Sequence, residues 1–336
     1  MYGRSHVVPC AREPPSQTTR IERELKVPRF ILAAMIAVLA SAGTGEACAG
    51  RSLENDAVFG APLCLPDAPE RVVVLDASFG LGIGLDVGLP IVGAPLERMS
   101  DAGLKGRAEA AEVSSIGFVT EPSLETIVAL QPDMILGFVG SDSMASGIYP
   151  QISQLAPTLL YTDIDWRGFY HLMASFTGAE EEIDQRFAAY DARLADIAER
   201  MPETTVSVLR ITSWDFQVYL DAPNTYAPFA IMQAAGVTRS DYETTDDPTV
   251  SMKRPGWEEL AALDGDVMLY IVGGTNDSDK DGRHEEVLAN PLWNMLPAVE
   301  AGRVHRVDHG TWMQFSGLGS AHAVLDDLER FVIDGE

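Results

Sequence analysis

Apolar residues follow two rhythms along this chain. Val72-Val73-Val74-Leu75, within Arg71–Leu75, is an unbroken apolar run, as expected for a strand covered on both faces. Shorter runs at Ile91–Gly93, Met134–Gly137 and Thr158–Tyr161 predict further strands. Between them, Leu124, Ile127, Val128 and Leu130 form one helical stripe, and Ile148, Ile152 and Leu155 another. Strands alternating with helices predict an α/β layer with mainly parallel strands. A longer stripe follows. Ile183, Phe187, Tyr190, Leu194, Ile197 and Met201 recur at spacings of 4, 3, 4, 3 and 4. Glu180-Glu181-Glu182 favours the positive end of that helix, and Pro202 stops it. The alternation then restarts. Val206–Ile211, Gln217–Leu220, Asp266–Ile271 and Arg303–Val307 read as strands, and Pro228–Ala235, Trp257–Leu263 and Leu318–Phe331 as helices. The fold class is therefore α/β, with two α/β lobes joined by one long helix.

The first residues follow neither rhythm. Phe30–Ala42 is an uncharged apolar run of 13 residues, preceded by Arg20, Arg23, Lys26 and Arg29. A spanning helix needs about 20 residues, so this layout predicts a secretory signal peptide and no stable membrane insertion. Ala47-Cys48-Ala49 resembles a peptidase site, and cleavage is expected after Ala49. Lipidation at Cys48 competes, but Thr44-Gly45-Glu46-Ala47 suits a lipoprotein signal poorly, because Glu46 is charged and leucine is missing. Cleavage after Ala49 removes Cys10 and Cys48 and leaves Cys64 alone, unable to form an internal disulfide. The expected organisation is a signal peptide at 1–49 and a proline-rich lead-in at 50–69. An N-terminal lobe follows at 70–178, a bridging helix at 179–202 and a C-terminal lobe at 203–336.

Charge narrows the function. The 336 residues include 24 Lys+Arg and 50 Asp+Glu, a net −26 that excludes nucleic acid and an anionic membrane surface as partners. Gly80-Leu81-Gly82-Ile83-Gly84 lacks the G-x-G-x-x-G spacing of a dinucleotide loop and reads as a loosely packed helix start. No nucleophile–base constellation can be assembled, so an α/β enzyme is the less favoured reading. His305 and His309 lack a carboxylate partner set, and no protein metal site is expected. His309 is read as an exposed histidine beside Trp312, within reach of a ligand. Asp246-Asp247 and Asp277–Asp281 read as solvated loops. Trp214 and Trp312 follow strands in polar or glycine-rich surroundings, where open α/β lobes place ligands.

Four segments together resemble the substrate-binding proteins of iron–siderophore and cobalamin ABC importers. They are PERVVVLDASFGLGIGLDVGLPIVGA, IGFVTEPSLETIVALQPDMILG, GWEELAALDGDVMLYIV and HEEVLANPLWNMLPAVEAGRVHRVDHGTW, spanning roughly residues 69–331. The resemblance implies a rigid bridging helix and a ligand cleft between the lobes. It implies a periplasmic protein that captures a ferric siderophore and delivers it to an ABC importer permease. It carries no cofactor of its own, the iron travelling with the siderophore, and it is expected to act as a monomer. In the family one glutamate per lobe meets permease arginines. The matching positions are Glu125 and Glu258, with Glu121 and Glu259 as neighbours.

The resemblance also frames the ligand site. Hydroxamate-binding members often carry an arginine two positions before the Glu-Pro of the second segment, and that position is Val119 here. Arg98 and Arg210, near strand ends, are the substitutes. Ferric catecholates are highly anionic and suit an acidic chain with few cleft arginines poorly, so a ferric hydroxamate is favoured. The expected ligand-binding set is Phe79, Arg98, Arg210, Trp214, Tyr226 and Trp312. Haem or cobalamin is the alternative cargo, with Tyr149, Tyr226 or His309 as haem ligands.

Overall fold

The computed structural model describes residues 48–274 and 276–336. The leader expected at 1–49 lies outside them, apart from Cys48 and Ala49.

The first lobe is built on a five-stranded, wholly parallel sheet. Its spatial order is Ser114–Ser115, Ile91–Ala94, Val72–Val74, Met134–Phe138, Thr158–Tyr161. Val72, Val73 and Val74 sit in the middle with no exposed surface, which is why that run carries no polar residue. The second lobe repeats the plan with a difference. Val206–Ile211, Val267–Ile271 and Val304–Val307 are parallel, while Phe216–Tyr219 and Met252–Lys253 extend the sheet antiparallel. A hairpin at that edge needs only a tight turn, where a parallel strand needs a crossover.

The bridging helix runs Glu180–Arg200, about 32 Å at 1.5 Å per residue. Ile183, Phe187, Tyr190 and Ile197 are buried along its predicted face, against the helices Trp166–Ala174 and Leu318–Leu328. Ion pairs fix it at both ends: Arg186 reaches Asp86 in the first lobe, and Arg193 and Arg200 reach Glu329 in the second. One apolar core therefore runs from lobe to lobe through the helix.

Four elements differ from expectation. The lead-in is structured: Arg51–Leu53 pairs antiparallel with Leu63–Leu65, and the Phe59 amide donates to Leu160 O and the Thr162 amide to Ala57 O, covering the outer strand of the first sheet. Cys48 and Cys64 form a disulfide across this hairpin, with Cα atoms 5.5 Å apart, so Cys64 is not the lone thiol expected from cleavage after Ala49. Trp257–Leu263 is not an α-helix. It makes only a 3₁₀ turn at Glu259–Ala262, squeezed between Pro255-Gly256 and the break at Asp264-Gly265. The closing helix is α only over Leu318–Leu328 and widens into a π turn at Glu329–Ile333. The acidic stretch after Asp277 is also more ordered than a solvated loop. Ser278–Asp281 is a short helix capped by Asp277, and Asp279 pairs with Arg306 and His284.

Candidate ligand cleft

The parallel strands of both sheets end at the gap between the lobes, the position where open α/β sheets present their loops to ligands. Phe79 follows Val72–Val74, Gly140 follows Met134–Phe138, and Arg98 follows Ile91–Ala94. On the other side Arg210 lies near the end of its strand, Gly273-Gly274 follow Val267–Ile271, and His309 follows Val304–Val307. These residues line two neighbouring chambers.

The first chamber, of about 480 Å³, is walled by Phe79, Phe138 and Ile164 from one lobe and Tyr219, Tyr226 and Met313 from the other. Phe79 stacks on Phe138 with ring centroids 4.3 Å apart and meets Tyr226 edge-on at 6.1 Å. Asp76 sets this platform from below. Its carboxylate accepts from the amides of Gly80 (2.7 Å), next to Phe79, and of Phe138 (2.9 Å), tying the two stretches of backbone to one group. Burial raises the Asp76 carboxyl above the ordinary range, against the pull of those amides. The Tyr226 hydroxyl accepts from the Phe315 amide at 3.1 Å. Burial outweighs that bond, which pulls the other way, and pushes the phenol well up, so it stays neutral.

Arg210 supplies the cation of this chamber. Its Nη1 donates to Gln217 Oε1 at 3.2 Å and its Nη2 to His309 Nε2 at 3.4 Å, while the buried Nε has no partner. His309 is only 9% exposed, not the surface histidine expected. Burial and then the Arg210 charge lower its pKa to about 4, so the ring is neutral at pH 7. Accepting at Nε2 assigns the proton to Nδ1, which donates to Ser100 Oγ at 3.0 Å. Ser100 Oγ in turn donates to Gln314 Oε1 at 2.6 Å, and the amides of Ser100 and Asp101 donate to the same oxygen at 3.1 and 2.7 Å. This relay crosses from lobe to lobe and divides the cleft. Gly274 makes room for it: at φ +86° a Cβ would stand 2.5 Å from His309 Nε2.

The second chamber, of about 580 Å³, lies beyond the relay. Its wall mixes signs, with Arg98 and Lys280 against Asp277 and Asp308, and Lys280 pairs with Asp277 at 3.3 Å.

Of the expected ligand-binding residues, Phe79, Arg210 and Tyr226 share the first chamber. Arg98, at φ +56°, lines both the second chamber and a further hollow of about 480 Å³ that it shares with Phe118, Val119 and Gln314, its guanidinium 5.1 Å from the Phe118 ring centroid. Trp214 is 63% exposed on the hairpin turn after Arg210 and lines neither chamber. Trp312 is a correction: it has no exposed surface, packs edge-on against Phe229 and donates its indole N–H to Asp327 at 2.7 Å. In the helical turn His309–Met313 the phase turns Trp312 to the core and leaves Met313 on the chamber wall. Tyr149 packs against Phe59 at the lead-in and lines neither chamber. Glu125 and Glu258 are exposed, one on each lobe. Phe138, Tyr219, Met313, Gln217, Ser100, Gln314 and Asp76 were not anticipated. Among them only the position of Phe138 and Asp76 at strand ends could have drawn notice. Among the described residues, no group of three or more His, Cys, Asp or Glu is placed to hold a metal ion, and no helix is long and apolar enough to cross a membrane.

Known proteins share this architecture. Residues 72–309 match the family model described as periplasmic binding protein. The Fe(3+)-citrate-binding protein YfmC of Bacillus subtilis is 28% identical over 273 residues, covering 79% of this chain and 81% of the relative. The ferric enterobactin-binding periplasmic protein FepB of Escherichia coli is 30% identical over 224 residues, covering 63% and 67%. The crystal structure of Staphylococcus aureus SirA complexed with staphyloferrin B superimposes with a TM-score of 0.66 at 20% identity, over 78% of this chain and 92% of that one, and so supports the fold. These are substrate-binding transport proteins and not enzymes. With two α/β lobes, a single bridging helix and a cleft at the strand ends, the chain belongs to the periplasmic binding protein family.

Proposed function

We propose that the protein is exported, captures a ferric siderophore of low net charge in the first chamber, and hands it to an ABC importer permease. A ferric hydroxamate is the favoured cargo. The observation that carries this reading is the pairing of four aromatic side chains, Phe79, Phe138, Tyr219 and Tyr226, with one cation, Arg210, on the chamber wall. A compact iron chelate presents an apolar organic shell around a ring of oxygens. The aromatic walls match the shell, and the Arg210 fork donates to the oxygens without ligating iron. A trianionic catecholate calls for more positive charge than one guanidinium. The ligands of those two relatives, ferric citrate and ferric enterobactin, support a ferric chelate as the cargo class.

Haem is less well served. Tyr226 is held neutral, and both ring nitrogens of His309 are engaged, by Arg210 and by Ser100. Titration of intrinsic tryptophan fluorescence with a ferric hydroxamate, a ferric catecholate, ferric citrate, haem and cobalamin tests the reading. Tightest binding of the hydroxamate is expected, and preference for haem or cobalamin would replace it.

Permease docking is assigned to Glu125 and Glu258. Each stands beside exposed apolar side chains, Leu124 and Val128 at the first, and Leu292 and Met295 at the second. Reversing both charges should stop uptake while leaving ligand affinity nearly unchanged. A loss of ligand binding in that double variant would count against the assignment.

A further inference from the structure

We propose that the export leader is cut upstream of Cys48, at the Ala42–Gly43 bond, and that the exported chain keeps Cys48 as half of a disulfide and not as a lipid anchor. The inference rests on the export reading above and on the part Cys48 plays in the fold. Cys48 is joined to Cys64, and the residues just after it are structural. Arg51 donates to Ser175 O at 3.1 Å and lies over the Phe176 ring, Leu53 is buried in the common core, and Gly50 runs so close to Leu65 that a Cβ would stand 2.3 Å from its carbonyl oxygen. The ordered body of the protein therefore includes Cys48, and a cut after Ala49 would remove the partner of Cys64.

The chemistry excludes the lipid route as well. A sulfur bonded to its own Cβ and to Cys64 Sγ has no valence left for a thioether to a diacylglycerol. Four small-x-small triplets lie between Ala40 and Ala47, and of these Ala40-Ser41-Ala42 alone has alanine at both small positions, while Ser41-Ala42-Gly43 and Gly43-Thr44-Gly45 end on glycine. Gly45-Glu46-Ala47 puts a carboxylate next to the scissile bond, whereas Ala40-Ser41-Ala42 is uncharged and closes the apolar run Phe30–Ala42. Hydrolysis there gives the Ala42 carboxylate and a new Gly43 amine, with water supplying the hydroxyl and the proton. It discards Cys10 and retains two cysteines. Their thiols give up two electrons and two protons to an oxidised dithiol carrier of the exported compartment, which is reduced to the dithiol.

The test is N-terminal sequencing and intact-mass analysis of the full chain after export, with thiol counting by maleimide before and after reduction. The expected result is a start at Gly43, no reactive thiol before reduction and two after it. In Cys64→Ser the start should remain Gly43 and one thiol should react without reduction. In Ala42→Phe the Gly43 start should disappear. A start at Gly50 with one thiol, or a diacylglyceryl mass on Cys48, would overturn the proposal while leaving export intact. A start at Cys48 would overturn the assigned bond. An intact Phe30–Ala42 with three thiols counted after reduction would instead overturn the export reading, and the proposal with it.

Discussion

The two chambers of the cleft share a partition but not a chemistry. The first is aromatic, with one cation held from two sides and one of its nitrogens unpartnered. The second is slightly larger and polar, and its charges largely answer one another, Lys280 to Asp277 and the Asp308 carboxylate to the Thr311 amide. A ligand gains from apolar wall next to a guanidinium whose Nη atoms each carry a second N–H. A site whose charges are already paired offers less, since each pair must be broken or desolvated first. The difference is made by the Arg210–His309–Ser100–Gln314 relay, which aims the guanidinium at the aromatic side.

The largest expected effect comes from His309 at the centre of that partition. Its neighbours are Arg210, Ser100, Asp308, Asp277 and, across the second chamber, Lys280. With the imidazole held down to about 4 in the fold and near 6.5 in the unfolded chain, the unfolded chain binds more protons between these values. The stability contribution is complete above about pH 6.5 and is lost as pH falls through about 4, up to about 3 kcal/mol. Urea midpoints of the wild type and His309→Gln from pH 7.5 to 4.5 measure it. The variant, which can still accept from Arg210 and donate to Ser100, should lose less stability on acidification. Parallel slopes would show that His309 is not the group responsible.

Truncation of the aromatic platform should come next. Phe79→Ala removes the ring that meets Phe138, Tyr226 and Phe315, and should weaken chelate binding by about 1.5 kcal/mol, roughly tenfold. Calorimetric titration reads it, and unchanged affinity would move the ligand out of the first chamber. Gln314→Ala should act on the partition itself. It removes the one oxygen that accepts three bonds from the opposite lobe, each worth about 1 kcal/mol at most at this partly exposed site. The free protein should open, seen as a larger radius of gyration in solution scattering, and an unchanged radius would mean that the bridging helix alone sets closure. The smallest effect is expected at Trp214. With 63% of its surface exposed on a turn outside both chambers, Trp214→Ala should change affinity by less than about 0.5 kcal/mol.

The same contrast explains what could be read in the sequence. Buried parallel strands such as Val72–Val74 announce themselves as unbroken apolar runs, and the bridging helix shows its face at the spacing of Ile183, Phe187, Tyr190 and Ile197. Ser114–Ser115 and Met252–Lys253 are two-residue pairings without such a pattern, and their partners alone make them strands. Prolines concealed the Leu63–Leu65 strand, whose pairing is local and short. In the cleft, Phe79 and Tyr226 were legible as aromatics placed after strands. Trp312 and Met313 were not separable, because the phase of a single helical turn decides which faces the core. Gln314 was invisible: its partners Ser100 and Asp101 lie more than 200 residues away, and no periodicity links them.

The most direct measurement compares the two arginines, one per chamber. Arg210→Ala and Arg98→Ala are titrated in parallel with the same ferric hydroxamate, with folding of each checked by circular dichroism. If the aromatic chamber holds the chelate, losing the Arg210 fork costs about 2 kcal/mol, roughly thirtyfold in Kd, because hydrogen bonds from a charged donor are lost. Arg98→Ala should then stay within about threefold of wild type, its guanidinium being spent over the Phe118 ring. The reverse order, with Arg98→Ala crippled and Arg210→Ala unaffected, would place the ligand in the polar chamber and contradict the account.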